Sequence, residues 1–487
     1  MTLSDMVDAG DARVSILRDG EPTGGGPVLL WVQHAQRASG NAAANLAVRL
    51  ADALDREVVA AFCLVPGYPR ATLRAYHCLA EGLAELPDGF AERGVGWVLR
   101  TGEPVEVIPA IARELGAALI VVDQDPTNAG RTWRAEVAEA AGLPMAMVDA
   151  DVVIPTAIFP TLEFAPRTIR PKITRRLAEY LVPIDDPEPR RRSTVREAPD
   201  PFDLVARLDI DRSVGPAPYW PGGQSHARER LARFLDRTLP GYADSRNTTD
   251  LEGTSGLSRY LHYGQISPVE VAVAATEAFH RLNGEVGSED EADEADEASK
   301  GGEGDGTAIG GASLESFLDE LVVQRELCVN FAIHEPRYET FDAVPAWGKK
   351  TLAAHADDTR ETILSRDRLE ACESPDRLWN AAQRQMIHEG YLPNRLRMFW
   401  AKQIPLWSAT AEEAHAHTVH LNDRYFVDGR DPAGYAQIAW AVGGRHDRPF
   451  PPNKPVVGLV RPLGIRAMKK HFDPDAYICD IEGRWPG

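Results

Sequence analysis

Two polar clusters near the end of the chain, Asn422-Asp423-Arg424 and Asp428-Gly429-Arg430-Asp431-Pro432, sit beside strongly apolar, tryptophan-bearing segments. Amide, carboxylate and guanidinium groups gathered next to apolar helices suit a buried site that fixes a ligand through several donors and acceptors. The amide of Asn422 can both donate and accept. The local alternatives are a helix cap at Asn422 and a simple turn at DGRDP. Trp379, Trp400 and Trp407 lie just upstream, and Trp400 and Trp407 are seven residues apart, so they share a helix face. Large rings at that spacing fill a core.

A third cluster comprises Tyr242, Arg246 and the run Gly253-Thr254-Ser255-Gly256-Leu257-Ser258, which precedes a helical YLHYGQIS. Hydroxyls and free amides at a helix start suit a phosphate group. N-capping is the other use of serine in that place. Glu320, within FLDELVVQRE, reads by residue type alone as a solvated helix carboxylate. Positive charge gathers in RTIRPKITRR (167–176), in RRRSTVR (190–196) and between 445 and 470. Each could be a solubilising face, and 190–196 could equally be a linker.

The elements that must hold these clusters fall into two kinds. From 27 to 160, apolar runs alternate with helical stretches: PVLLWVQ, REVVAAFCLV, VGWVLRTG, ALIVVDQD and PMAMVDADVVIP, separated by helices near 41–54, 71–85, 104–115 and 133–141. This pattern predicts a parallel five-stranded sheet with helices on both faces, a Rossmann-like α/β domain. Asp123 ends the fourth run, where open sheets place ligands. No Gly-x-Gly-x-x-Gly follows the first run, so a dinucleotide fingerprint is missing from this domain. Residues 1–26 are polar and glycine-rich and read as a mobile N-terminus. Residues 161–221 are rich in proline and arginine and read as an interdomain linker. From 222 to 487 apolar residues recur at three- and four-residue spacing, predicting an all-helical domain. Within it, Ser374 and Pro375 suit a helix start and Gly390 a helix end. A second helix starts near Asn394, carries Met398, Trp400 and Trp407, and should be kinked or ended by Pro405.

The chain has 487 residues, enough for two domains, and no stretch is long enough to span a bilayer. Its N-terminus lacks the basic start and apolar run of a secretory signal. Five cysteines, Cys63, Cys78, Cys328, Cys372 and Cys479, have no metal-type spacing and fit a reducing cytoplasm. A net charge of −20 would repel nucleic acid if spread evenly. Much of the acid is local, however: 288–305 reads SEDEADEADEASKGGEGD, predicting a disordered acidic insertion over 284–308.

LWNAAQ, RMFWAK, LNDRY, DGRDP and GG-x-HDR, in that order, resemble the flavin domain of class II cyclobutane pyrimidine dimer photolyases. WVQHAQR and RTIRPKI extend the resemblance to the N-terminal half, which in that family can carry an antenna pigment. The resemblance implies light-driven repair of pyrimidine dimers in double-stranded DNA by electron transfer from reduced FAD to a flipped-out lesion. It implies FAD contacts from Tyr242, Thr254, Ser255, Gly256, Leu257, Ser258, Arg397, Asn422, Asp428 and Asp431. Asn422 would face the flavin's central ring. Glu320 would hydrogen-bond the damaged bases with a raised pKa, and Trp379, Trp400 and Trp407 would relay an electron. Gln324, Met398 and Trp440 would lie against the lesion, and Arg445, Arg448 and Lys454 would meet phosphates, with Arg461, Lys469 and Lys470 beside them.

Departures lie on the substrate side. Gln324 stands where the family pattern leads one to expect tryptophan or arginine, and Leu392-Pro393-Asn394-Arg395 replaces a usual Met-His-Gly-aromatic run. The expectation is a monomeric, cytoplasmic photolyase with FAD, no metal, and a deazaflavin as one option for the antenna. A cryptochrome-like photoreceptor is the alternative, and a plain flavoprotein oxidoreductase a third.

Overall fold

The computed structural model of the chain describes residues 1–217, 219–248, 251–283 and 310–486. The acidic insertion expected at 284–308 lies outside the described residues.

The apolar runs form strands because each is buried on both faces. β1 spans Val14–Arg18, β2 Val28–Trp31, β3 Val58–Leu64, β4 Gly96–Thr101, β5 Leu119–Asp123, β6 Met145–Val148 and β7 Arg196–Glu197. The sheet order is β1-β6-β5-β2-β3-β4-β7. Its centre, β6-β5-β2-β3-β4, is the expected five-stranded parallel sheet. In β2, β3 and β5 every residue is buried, as continuous apolar runs require. Order reverses between β5 and β2, so the crevice at their carboxyl ends is the natural ligand position.

Two boundaries differ from expectation. The opening segment is folded: helix Leu3–Met6 buries Leu3, and β1 pairs antiparallel with β6, Val14 opposite Val148. Val14 and Ile16 pack on the sheet core, a two-residue periodicity too short to stand out among glycines. The 161–221 stretch is not a bare connection either. It forms helix Pro166–Tyr180, the edge strand β7, and helix Pro201–Arg207, capped by Asp200 and packed on helix Leu73–Glu92.

The second half is helical. Helix Gly311–Leu318 runs through a wider π-helical turn, Asp319–Gln324, into helix Arg325–His334. Helices Arg377–Glu389, Asn394–Trp407, Ala411–Tyr425 and Pro432–Gly443 surround a core that includes Trp379, Trp400, Phe399, Leu396 and Met386. The cap of the first of these is Asp376, which accepts from Leu378 and Trp379 amides at 2.8 and 3.1 Å. Ser374, expected there, instead bonds Asn380 at 2.7 Å. Gly390 ends that helix at φ +71, the left-handed conformation that glycine adopts without strain. Pro405 lies within the last turn of its helix, which stops two residues later. The two halves are tied together by Arg74, which donates to the carbonyls of Met386 and Tyr425, and by buried Glu326, which accepts the amides of Val153 and Ile154.

Candidate active site

A cavity with about 1390 Å³ of empty space opens into the helical half. One wall is the 254–258 turn, a second is the π-helical segment with Glu320 and Gln324, and a third combines Tyr391, Asn394, Arg397, Asp428, Asp431 and Gly434. A smaller pocket of about 350 Å³ adjoins it and shares Asn394, Arg397, Gly434 and Gln437. Met398, Trp400, Asn422 and Trp440 line this second pocket.

The 254–258 turn is braced from behind. Arg230 donates to the carbonyls of Ser255 and Thr254 at 2.7 and 2.9 Å, and Thr254 Oγ1 shares a 3.0 Å hydrogen bond with the Tyr391 hydroxyl. Gly256 has φ +64, a conformation that favours glycine, and a Cβ there would lie 2.8 Å from Arg230 Nε and disturb the brace. The hydroxyls of Thr254 and Ser255 and the start of the short helix Ser258–His262 thus face one end of the cavity.

Arg397 organises the opposite end. It donates to Asp428 Oδ1 at 2.9 Å and to Asn422 Oδ1 at 2.7 Å, with its guanidinium 3.8 Å from the centre of the Phe426 ring. Asn422 lies inside helix Ala411–Tyr425 rather than at its end, so it is no cap. It sits behind Arg397, on the smaller pocket, and its Nδ2 donates to Asp423 Oδ1 at 2.8 Å. Asp423 is wholly buried and also accepts from Arg70 of the α/β half and from Tyr435. Asp431 caps helix Pro432–Gly443 through the Ala433 amide and meets His262 Nδ1 at 3.2 Å. Burial works to raise its pKa, but the His262 contact, Arg325 and the Ala433 amide prevail and hold it at about 2. Asp428 and Asp431 therefore line the cavity, whereas Arg430 turns away at φ +68 and donates to the Asp423 carbonyl.

Glu320 is half-buried at the cavity, paired with Arg246 Nη1 at 2.8 Å. Desolvation raises its pKa, with Asp319 adding to the shift and Arg246 opposing it. Tyr242 packs against Phe234 and Phe317 on the same side.

The tryptophans form a row. Trp400 and Trp379 stack with ring centres 6.4 Å apart and planes within 8°; Trp379 and Trp407 meet edge-on at 5.4 Å. Trp400 lines the smaller pocket, and Trp407 is the least buried of the three at 7% exposure. Trp379 Nε1 donates to the Trp400 carbonyl, and Trp400 Nε1 to Gln383 Oε1. The rings fill the core and also run from pocket wall towards solvent.

Of the expected phosphate contacts, Arg448, Lys454, Arg461, Lys469 and Lys470 are exposed, with Arg461 3.4 Å from Asp447. Arg445 is not available: it is 6% exposed, with its guanidinium 4.5 Å from the Phe331 ring centre. Its place in a basic segment concealed a side chain that folds inward.

In the α/β half, Asp123 does not face a ligand crevice as expected. Its carboxylate accepts the amides of Gln33, His34 and Ala35 at 2.8, 2.6 and 2.8 Å and so fixes the loop after β2. The neighbouring Asp125 lines a second large cavity, about 790 Å³, with Trp31, Gln33, Phe62, Tyr68 and Trp133. His262, Tyr263 and Arg430 close it from the helical half, so His262 stands between the two cavities.

Arg230, Tyr391 and Gln437 escaped the sequence reading, and Asn394 was read only as a helix start. Tyr391 and Asn394 carried a signal, since the one precedes and the other lies within the departure at 392–395.

A family model described as DNA photolyase matches residues 28–190. A protein of Oryza sativa subsp. japonica named deoxyribodipyrimidine photo-lyase is 34% identical, covering 97% of this chain and 90% of its own. The chain belongs to the DNA photolyase family. The photolyase of Methanothermobacter thermautotrophicus is 31% identical over 94% of this chain and 95% of its own. Among solved structures, a Synechocystis cryptochrome superposes with TM-score 0.69 at 14% identity, covering 94% of this chain and 88% of its own. A class III photolyase from Agrobacterium tumefaciens superposes with TM-score 0.65 at 20% identity, covering 94% and 86%. At these identities the superpositions establish the photolyase fold. The residues around the large cavity fit a flavin dinucleotide. Hydroxyls and amides lie at one end, carboxylates and Arg397 at the other, and Gly434 keeps the wall thin, since a Cβ there would come 3.3 Å from Asn422 Nδ2.

Proposed function

We propose that this enzyme is a deoxyribodipyrimidine photo-lyase that repairs cyclobutane pyrimidine dimers in double-stranded DNA under light. The observation that carries this reading is the shared wall of the two pockets. Arg397 borders both and joins Asp428 to Asn422, while Trp400, the inner end of the tryptophan row, lines the smaller one. Family membership over nearly the whole chain supports it. The five ordered motifs support class II within the family.

FAD would be held by Thr254, Ser255, Gly256, Leu257 and Ser258 at its phosphates, with Tyr242 beside them. Arg397, Asp428 and Asp431 would hold the ring and ribose, with Asn422 behind Arg397 fixing its guanidinium. Bound in its reduced form, FAD supplies a light-driven one-electron donor. The chain's own residues do the remaining work. Glu320, whose pKa burial raises against the pull of Arg246, stands on the cavity wall where it would hydrogen-bond the damaged bases. Met398 and Trp440 offer apolar faces to a dimer of adjacent bases taken out of the stack. Trp407, Trp379 and Trp400 provide closely spaced oxidisable rings between the protein's edge and the pocket. Arg448 and Lys454 meet phosphates, which position the duplex without reading its sequence.

The 790 Å³ cavity is the place for an antenna pigment: its aromatic walls suit a flat ring system, and a deazaflavin is one candidate. A related photolyase from Sulfolobus tokodaii was solved with two FAD molecules. Among the described residues no helix is long and apolar enough to cross a membrane.

The test is the absorption spectrum of the purified protein, followed by illumination with dimer-containing DNA after photoreduction. Flavin bands and loss of dimers support the reading. Flavin bands without loss would favour the photoreceptor, and a colourless protein would end both.

A further inference from the structure

Gln324 lines the large cavity and closes the π-helical segment that also carries Glu320. Its amide is oriented by its neighbours. Nε2 lies 3.0 Å from Asp319 Oδ2. Asp319 is gripped in turn by Arg170 of helix Pro166–Tyr180, through Nε to Oδ1 at 2.9 Å and Nη2 to Oδ2 at 3.1 Å. An ionised carboxylate only accepts hydrogen bonds, so a flipped amide would set two oxygens against each other. The polarity of Gln324 is therefore fixed, with its nitrogen committed to Asp319. Its Oε1 accepts from no donor among the described residues.

We infer that Gln324 is a specificity-determining residue, presenting Oε1 as an acceptor to the imide N–H of a pyrimidine extruded into the cavity. Asp319 and Arg170 act as positioning residues that hold this polarity. The inference rests on the repair reading above and deepens it. Thymine and uracil keep an N3–H donor when their C5–C6 bond is saturated in a dimer. Cytosine presents a bare N3 acceptor on the same edge, which would face Oε1 lone pair to lone pair. Flipped bases are read by hydrogen bonds to this edge.

The experiment compares dark binding of the flavin-loaded enzyme to duplexes carrying a thymine dimer or its N3-methylated counterpart, by fluorescence anisotropy. Wild type should bind the methylated dimer about tenfold more weakly, the loss expected for one hydrogen bond. Q324L should bring the two affinities together, and D319N, which frees the amide to flip, should shrink the ratio part-way. A ratio in Q324L equal to that of wild type means that methyl bulk alone sets it, and overturns the inference. So does a wild-type ratio near one. Light-driven loss of the unmethylated dimer in wild type is measured alongside. If that fails while the binding ratio behaves as expected, the repair reading falls and recognition by Gln324 stands.

Discussion

Lys402 is an amine buried in the helical core, and its replacement by methionine gives a quantitative test of that packing. The side chain is 5% exposed, donates to the carbonyls of Trp440 and Ala441 at 3.3 and 3.2 Å, and lies 3.8 Å from the centre of the Trp440 ring. These contacts cap the end of helix Pro432–Gly443 and hold the Trp440 indole over the smaller pocket. Among the described residues no carboxylate pairs with it directly. Burial lowers its pKa from 10.5 to about 7, with Asp447 opposing the shift and Arg461 adding to it. Below pH 7 the amine is charged in folded and unfolded chains alike, and the cost of burying that charge is felt in full. Between about 7 and 10.5 only the unfolded chain binds the proton, so stability rises with pH. The gap corresponds to at most about 5 kcal/mol, or roughly 1 kcal/mol per pH unit.

K402M removes this titration. At pH 7 the variant should be as stable as wild type or more so, because a buried charge has been replaced by a thioether of similar length. As pH rises from 7 to 10, wild type should gain on the variant by roughly 1 kcal/mol per pH unit. Chemical denaturation of the two proteins in parallel measures the difference, in which all other titrations cancel. Parallel curves over that range would refute the argument, since they would mean that the lysine is charged in the folded protein throughout. Retention of a destabilising group beside Trp440 is the pattern expected where a side chain serves a site rather than the fold.

Three further outcomes follow from the geometry. R397M leaves Asp428 and Asn422 without their shared donor, and should cost about 3 kcal/mol and lower the flavin retained through purification, read from the flavin-to-protein absorbance ratio. W379F interrupts the row between Trp400 and Trp407, so it should stop photoreduction of oxidised enzyme while repair by chemically pre-reduced enzyme continues; equal photoreduction rates would show that electrons take another route. His34 is half-buried, and its desolvation works against its charged form, but Asp151 at 2.9 Å outweighs this and raises its pKa to about 9. Its stabilising contribution is complete below about 6.5 and lost as pH passes 9, so wild type should lose thermal stability between pH 7 and 9.5 and H34Q should lose less.

How far the sequence foretold this arrangement depends on the range of the forces involved. The five buried strands were legible because burial on two faces demands unbroken apolar runs, here short and alternating with helical stretches. β1 and β7 were not, since both are edge strands whose pairing is decided by the partner already in place. The cavity walls were legible through DGRDP and TSGLS, where turn chemistry and ligand chemistry call for the same residues. The brace behind Gly256 was not legible, because Arg230 reaches it from another helix and left no mark on the local sequence.

Charged residues were the hardest to place, and for a single reason. Arg445, Arg448 and Lys402 look alike in sequence, yet one packs on Phe331, one is solvated and one lies under an indole ring. A long side chain's address is set by which apolar surface its stem can follow and whether carbonyls or a π-face wait at the end. Asp123 and Asp125 make the same point at shorter range. Two residues apart at the end of one strand, the first is consumed by three backbone amides and the second lines the cavity. The sheet's topology dictates that a crevice exists there, but only the loop after β2, folded back over the strand end, decides which carboxylate remains to face it. Replacing Asp123 should therefore disturb the loop that carries His34, whereas replacing Asp125 should act on whatever the crevice holds.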